Sequence, residues 1–136
     1  MRGKWISVAG LIFVAAVLLT EPSCARPQQL VAINLMPTLG FVFEGYGAQG
    51  QFTAWGTYIH PPETKDITDE VVWSLDIAYF GTLTQTGLIT YTRTDGCGSG
   101  NVTATWYSNP SDPEAGSAIS GSAPVSGGMN ALPSCQ

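Results

Sequence analysis

The strongest constraint on this chain is the stretch from Gln51 to Tyr91. Short alternating runs there are separated by turn-forming residues: Gln51-Phe52-Thr53-Ala54-Trp55-Gly56-Thr57-Tyr58, then a polar loop with two prolines, Val71-Val72-Trp73-Ser74, Phe80-Gly81-Thr82-Leu83, and Gly87-Leu88-Ile89-Thr90-Tyr91. Alternation with a period of two puts successive side chains on opposite faces of a strand, so such runs specify an antiparallel sheet with one buried face. Phe52, Ala54, Gly56 and Tyr58 fall on one face and are expected inside. Thr53, Trp55, Thr57 and Ile59 fall on the other and are expected outside. Val71, Trp73 and Leu75 share a face, and Trp73 is expected at the centre of the core.

The same pattern extends both ways. Leu30 to Leu35 alternates and is stopped by Pro37, which suits an edge strand. Thr38 to Gly50 is punctuated by glycine, with Phe41, Val42, Phe43 and Tyr46 as apolar anchors, and reads as a short strand and a turn. His60-Pro61-Pro62-Glu63-Thr64 reads as a loop kept extended by its prolines, and Gln85-Thr86-Gly87 as a turn. Asp95-Gly96-Cys97-Gly98-Ser99-Gly100 reads as a glycine-rich turn ahead of a strand in which Val102, Ala104 and Trp106 point inward. After Ser108 the composition shifts to Ser, Gly, Pro and Ala. Ala118 to Val125 reads as a last edge strand, and residues 126–136 as a loosely ordered tail. The total is about seven short strands with regularly spaced turns, the signature of an all-β Greek-key sandwich over residues 30–125.

Residues 1–25 have the layout of a signal peptide. Arg2 and Lys4 precede an apolar run from Ile6 to Leu19, which as a helix covers about 21 Å, short of the ~30 Å hydrocarbon core. Two processing routes fit. Cys24 after Ser23 resembles the acceptor cysteine of bacterial lipoproteins, although Glu21 stands three residues before it where that family prefers Leu. Alternatively, Ser23 and Ala25 suit cleavage before Arg26 and plain secretion. Residues 26–29 would then be a short tether. Either route places the protein outside the cytoplasm: on the outer membrane or cell surface as a lipoprotein, or secreted or periplasmic.

Both routes remove Cys24 from the thiol count and leave Cys97 and Cys135, an even pair in an oxidising compartment. Joined, they would close a loop of about 38 residues, worth about 4 kcal/mol by chain entropy. The alternatives are two free thiols or a bond to another chain. The internal bond is the expectation, because the glycine-rich surroundings of Cys97 can accept a returning tail.

Composition narrows the function classes. Charged residues make up 11% of the chain and the formal charge is −5. Beyond the leader the only cations are Arg26, Lys65 and Arg93, which excludes a phosphate-binding surface of clustered Lys and Arg and hence nucleic acid as a partner. His60, the single histidine, lies beside two prolines with no nucleophile motif nearby, and reads as a solvated loop residue. One histidine and two distant cysteines do not suit zinc. Asp66, Asp69 and Glu70 lack the order of a calcium loop and read as a solvated turn. Asn101-Val102-Thr103 fits the N-glycosylation acceptor but begins a strand. No catalytic residues, metal site or cofactor follow from the sequence.

Several of these pieces resemble the bacterial immunoglobulin-like domain, group 2, a module of surface and secreted bacterial proteins. The family pattern runs Gln-Phe-Thr-Ala-x-Gly-Thr-Tyr, a loop, Lys-Asp-(Ile/Leu)-Thr, Val-x-Trp-Ser, and later Gly-(Leu/Val)-(Val/Ile)-Thr. Gln51 to Tyr58, Lys65 to Thr68, Val71 to Ser74 and Gly87 to Thr90 supply them in order. Phe80-Gly81-Thr82-Leu83 takes the place of the usual Val-Ala-Thr-Val. The resemblance covers about Leu30 to Tyr107. It departs at Trp55, where a small polar residue is common, at Cys97, and after Tyr107, where no counterpart is found. It implies an immunoglobulin-like sandwich without catalytic activity, structural or adhesive, whose partner is an envelope or surface protein or a glycan, with the membrane reached only through the N-terminal lipid.

Trp55 is the one further functional signal. An outward indole on a sheet face can stack on a sugar ring or seat a partner, which makes a carbohydrate-binding module the alternative function. Packing of Trp55 under a neighbouring loop or the C-terminal tail is the competing reading.

Overall fold

A computed structural model describes residues 26–94 and 97–128. They form an all-β fold of ten strands: β1 (Gln29–Met36), β2 (Phe41–Glu44), β3 (Gln49–Gln51), β4 (Thr53–Ile59), β5 (Glu63–Asp66), β6 (Val72–Leu75), β7 (Gly81–Leu83), β8 (Leu88–Tyr91), β9 (Gly98–Tyr107) and β10 (Ala118–Gly128). Hydrogen bonding groups them into three ladders, in the orders β1-β4-β5, β3-β8-β7 and β2-β10-β9-β6. Every pairing is antiparallel except β2 with β10, which is parallel.

The strand count exceeds the expected seven because one long run changes partners midway and because Glu63–Asp66 forms a strand of its own. The run from Gln49 to Ile59 is interrupted only at Phe52. Its first part pairs with β8 and its second with β1 and β5. The run from Gln29 to Glu44 is likewise broken by a turn in which the Gly40 N–H donates to the Pro37 carbonyl at 3.1 Å. It serves β4 before the turn and β10 after it.

Inward and outward faces follow the alternation from Phe52 into β4. Phe52 and Ala54 are fully buried and Trp55 is exposed. Strand β1 departs from it. Strict alternation puts Leu30 opposite in face to Ile33 and Leu35, yet all are buried. The register explains this: Leu30 pairs with Tyr58 and Ala32 with Thr57, so Val31 is an extra residue. Such a bulge shifts the phase by one and brings Leu30 back to the core face.

One core cluster draws on all three ladders: Leu30, Ile33, Leu35 and Ala54 from the first, Ile89 and Tyr91 from the second, Phe43, Trp73, Val102, Ala104, Ala123 and Val125 from the third. Aromatic rings run through it in edge and stacked contacts. Phe41 meets Phe52 at 4.8 Å, Phe80 meets Tyr91 at 4.9 Å, and Phe43 stacks on Tyr91 at 6.0 Å. A shared core between opposed sheets is compatible with a sandwich.

Three expectations are corrected. The His60–Thr64 segment is not an extended loop: the chain reverses at residues 60–62, with His60 at φ 62°, and Glu63–Asp66 returns as β5 along β4. The Gly98-Ser99-Gly100 part of the glycine-rich turn belongs to β9. The last strand is not an edge. β10 runs on to Gly128 and lies between β2 and β9.

Candidate functional site

The four motifs quoted above meet at one clasp. Asp66 Oδ1 accepts from the Thr68 N–H at 2.9 Å and from the Thr68 hydroxyl at 2.6 Å. Thr68 Oγ1 in turn accepts from the Ala54 N–H at 3.0 Å. Between them Ile67 is buried, its N–H donating to the Ala54 carbonyl at 2.8 Å. The Thr68 carbonyl accepts the Trp73 indole N–H at 3.0 Å. On the other side, the Phe52 N–H donates to the Gly87 carbonyl at 2.9 Å, and Gln51 Nε2 donates to the carbonyls of Phe52 and Thr86, both at 2.7 Å. Gly87 has φ +80°, and a Cβ there would come within 2.6 Å of the Phe52 carbonyl oxygen and 2.9 Å of the Trp73 ring. A left-handed backbone pressed against a carbonyl requires glycine.

The clasp fixes the outward face of the β1-β4-β5 ladder. Trp55 pairs with Asn34 on β1 and with Asp66 on β5, and directly opposed residues share a face. An amide and a carboxylate therefore flank the indole, one on each side. Thr57 pairs with Ala32 and Thr64 in the next row, and Thr53 pairs with Met36 in the row before. Trp55 is 38% exposed. Tyr46 and Tyr79 are more exposed but stand outside the strands, whereas Trp55 is held in a regular ladder.

A hollow of about 330 Å³ adjoins this row, lined by Thr53, Asp66, Ile67, Thr68, Asp69 and Glu70. The two hydrogen bonds from Thr68 hold the Asp66 carboxyl below its usual range, so it is ionised in neutral and mildly acidic solution. Lys65 points away from Trp55. It pairs with Gly56 on the opposite face, where Nζ lies 5.0 Å from the Tyr58 ring centroid, 3.1 Å from Glu63 Oε2 and 2.8 Å from Gln28 Oε1.

Of the other candidates, Cys24 and Cys135 lie outside the described residues. Cys97 is half-buried, immediately before β9. His60 is exposed in the β4–β5 turn. Asn101 is engaged with Asp76: its N–H and Nδ2 donate to the carboxylate at 2.8 and 3.0 Å, and the Asp76 N–H donates to the Asn101 carbonyl at 3.2 Å. A glycan on Nδ2 would leave that nitrogen a single N–H for Asp76. No group of three or more His, Cys, Asp or Glu side chains is placed to hold a metal ion among the described residues. Sequence reasoning found Trp55 but missed Asn34 and Asp66 beside it: the first depends on the register of β1 against β4, and the second on a β4–β5 hairpin hidden by Pro61-Pro62.

Gln85 was missed as well. Its Oε1 accepts from the Trp73 N–H and its Nε2 donates to the Trp73 carbonyl, both at 3.2 Å. The side-chain amide thus imitates a neighbouring strand on the outer edge of β6, blunting a surface that would otherwise template pairing.

No protein-family model matches the chain, and no curated protein matches it.

Proposed function

We propose that this chain is an exported, non-catalytic immunoglobulin-like module of the cell envelope or cell surface, with a structural or adhesive role. The observation that carries the reading is the pattern of strand partners. β4 pairs with β1, its continuation β3 with β8, and β8 with β7, which corresponds to an A-B-E-D sheet. β6, β9 and β10 pair in the order C-F-G, with β2 added in parallel at the edge. Strand β5 is a local extension of the hairpin after B. The clasp supports the likeness to the group 2 bacterial domain, because each of the four quoted motifs is hydrogen-bonded to another.

Export rests on the leader and its two processing routes. Mass spectrometry of the mature N-terminus in the native envelope separates them: an acylated Cys24 places the module on a membrane, and a start at Arg26 makes it secreted or periplasmic. A pull-down of the mature protein from that envelope tests the adhesive role. Retention of the uncleaved leader in the cytoplasm would overturn the reading.

A second reading, a carbohydrate-binding module, is favoured by one observation. The indole of Trp55 stands between an amide and a carboxylate on an open sheet face. An aromatic platform with hydrogen-bonding groups beside it suits a ring that is apolar on its face and polar on its rim. Glycan binding that disappears in Trp55→Ala supports it.

A further inference from the structure

Resting on the carbohydrate reading, we infer that the face around Trp55 takes a glycan carrying free amino groups, a polymer of 2-amino sugars, in preference to neutral or acidic glycans. Trp55 lies in the central strand of its ladder, with Asn34 one strand away on one side and Asp66 one strand away on the other. Neighbouring strands lie about 4.8 Å apart, so the two polar groups sit about 10 Å from each other with the indole between them. A sugar stacked on the indole has its rim within reach of both.

Charge then decides between glycan classes. Asp66 presents a carboxylate whose bonds from Thr68 both fall on Oδ1, leaving Oδ2 to accept from a ligand. The hollow beside it is lined by Asp69 and Glu70 as well. Lys65, the only basic residue of β5, does not offset Asp66 on this face: it is turned to the other side and engaged with Tyr58, Glu63 and Gln28. An acidic glycan would meet like charge, and a neutral one would bring no opposite charge to Asp66. An ammonium group meets opposite charge at Asp66 and is further attracted by the indole, the strongest of the aromatic partners for a cation. Asn34 remains to bond a hydroxyl, which keeps the recognition saccharide-like.

The experiment uses the mature chain from residue 26 and three soluble oligomers of similar length: glucosamine, N-acetylglucosamine and galacturonate. Binding is followed by tryptophan fluorescence and by calorimetry at low and at physiological salt. The expected result is tightest binding to the glucosamine oligomer, weakening with salt as exposed charge pairs do, and little or none to galacturonate. Trp55→Ala should abolish binding. Asp66→Asn should weaken the glucosamine oligomer about tenfold, the loss of a single charge-assisted contact, and the acetylated oligomer by clearly less. Equal binding of both glucosamine forms through Trp55 would overturn the amino-sugar inference and leave the carbohydrate reading standing. Absence of binding to all three would remove both. Glucosamine binding that survives Trp55→Ala would mark general attraction to an acidic protein, and would also overturn the inference.

Discussion

Replacing Trp73 by alanine tests the core and the clasp together. The residue is 4% exposed, and its ring lies 6.5 Å from that of Phe52. An indole of this kind withdraws about 200 Å² from water, about 5 kcal/mol at ~25 cal/mol per Å². That figure is an upper bound, because the unfolded chain already covers part of the surface. The indole N–H to the Thr68 carbonyl adds ~1 kcal/mol net. Aromatic-to-alanine changes in cores cost about 3–5 kcal/mol, so Trp73→Ala should lose about 4 kcal/mol, a large share of the ~5–15 kcal/mol such a domain holds. Denaturant titration of the mature chain, followed by circular dichroism, measures the loss. In a thermal scan it should lower the midpoint by roughly 15 °C or more. Trp73→Phe keeps most of the buried area and gives up the N–H, so it should lose about 1–2 kcal/mol. An alanine variant within about 1 kcal/mol of the parent would refute the burial argument. A phenylalanine variant as damaged as alanine would show that the hydrogen bond, rather than the burial, governs the site.

Gln85→Ala removes both bonds to the Trp73 backbone and should cost about 1–2 kcal/mol. It should also introduce concentration-dependent association through the β6 edge, and an unchanged monomer by light scattering at high concentration would count against the capping role. Acid should destabilise the fold with a defined sign. Asp66 and Asp76 are both held below the usual carboxylate range, by bonds from Thr68 and Asn101 respectively. Their contribution is present above the unfolded pKa and is lost as pH falls through the lower folded value, so the melting temperature should drop below about pH 5. The Asp66→Asn, Asp76→Asn double variant should show a shallower drop, and parallel curves would exclude these groups as the cause. For the cysteines, peptide mapping of the exported protein without reductant should find Cys97 joined to Cys135. Two alkylatable thiols in the native protein would rule the bridge out.

What could be read from the sequence is tied to single strands. The β4 alternation placed Phe52 and Ala54 inside and Trp55 outside, and the run ending at Leu75 put Trp73 in the core, because a period of two needs no knowledge of the partner strand. What could not be read depends on partners. The bulge at Val31 appears only when β4 is laid against β1. The change of ladder at Phe52 leaves the local pattern intact, so one run looked like one strand. Strand β5 carries Glu63, Lys65 and Asp66 and has no apolar alternation of its own. It is held by the β4 backbone and the Asp66–Thr68 bonds, so hydrophobicity gave no sign of it. The candidate site inherits that gap: Trp55 was visible and its carboxylate neighbour was not.

The composition of β10 suggests an edge leading into a loose tail, yet it belongs in the middle of a sheet. Ser, Gly, Ala and Pro offer little apolar area, and burial alone at ~25 cal/mol per Å² would not repay the ordering of such a segment. In the fold these residues are small because other groups come close. A Cβ at Gly121 would lie 2.3 Å from the Ile33 carbonyl oxygen, where β1 passes over β10. A Cβ at Gly127 would lie 2.6 Å from the ring of Tyr91, itself fully buried. Ala123 and Val125 supply the inward side chains between them, and both are buried. The apolar area that stabilises this strand therefore belongs largely to its neighbours, Ile33, Tyr91 and Phe43, which pack where β10 has no bulk. Backbone bonds to β9 along Ala118–Gly127, and to β2 along Val125–Gly128, do the rest. A segment poor in large side chains is thus compatible with two opposite fates, disorder or close approach. Its own composition cannot choose between them, because the choice is made by the residues that face it.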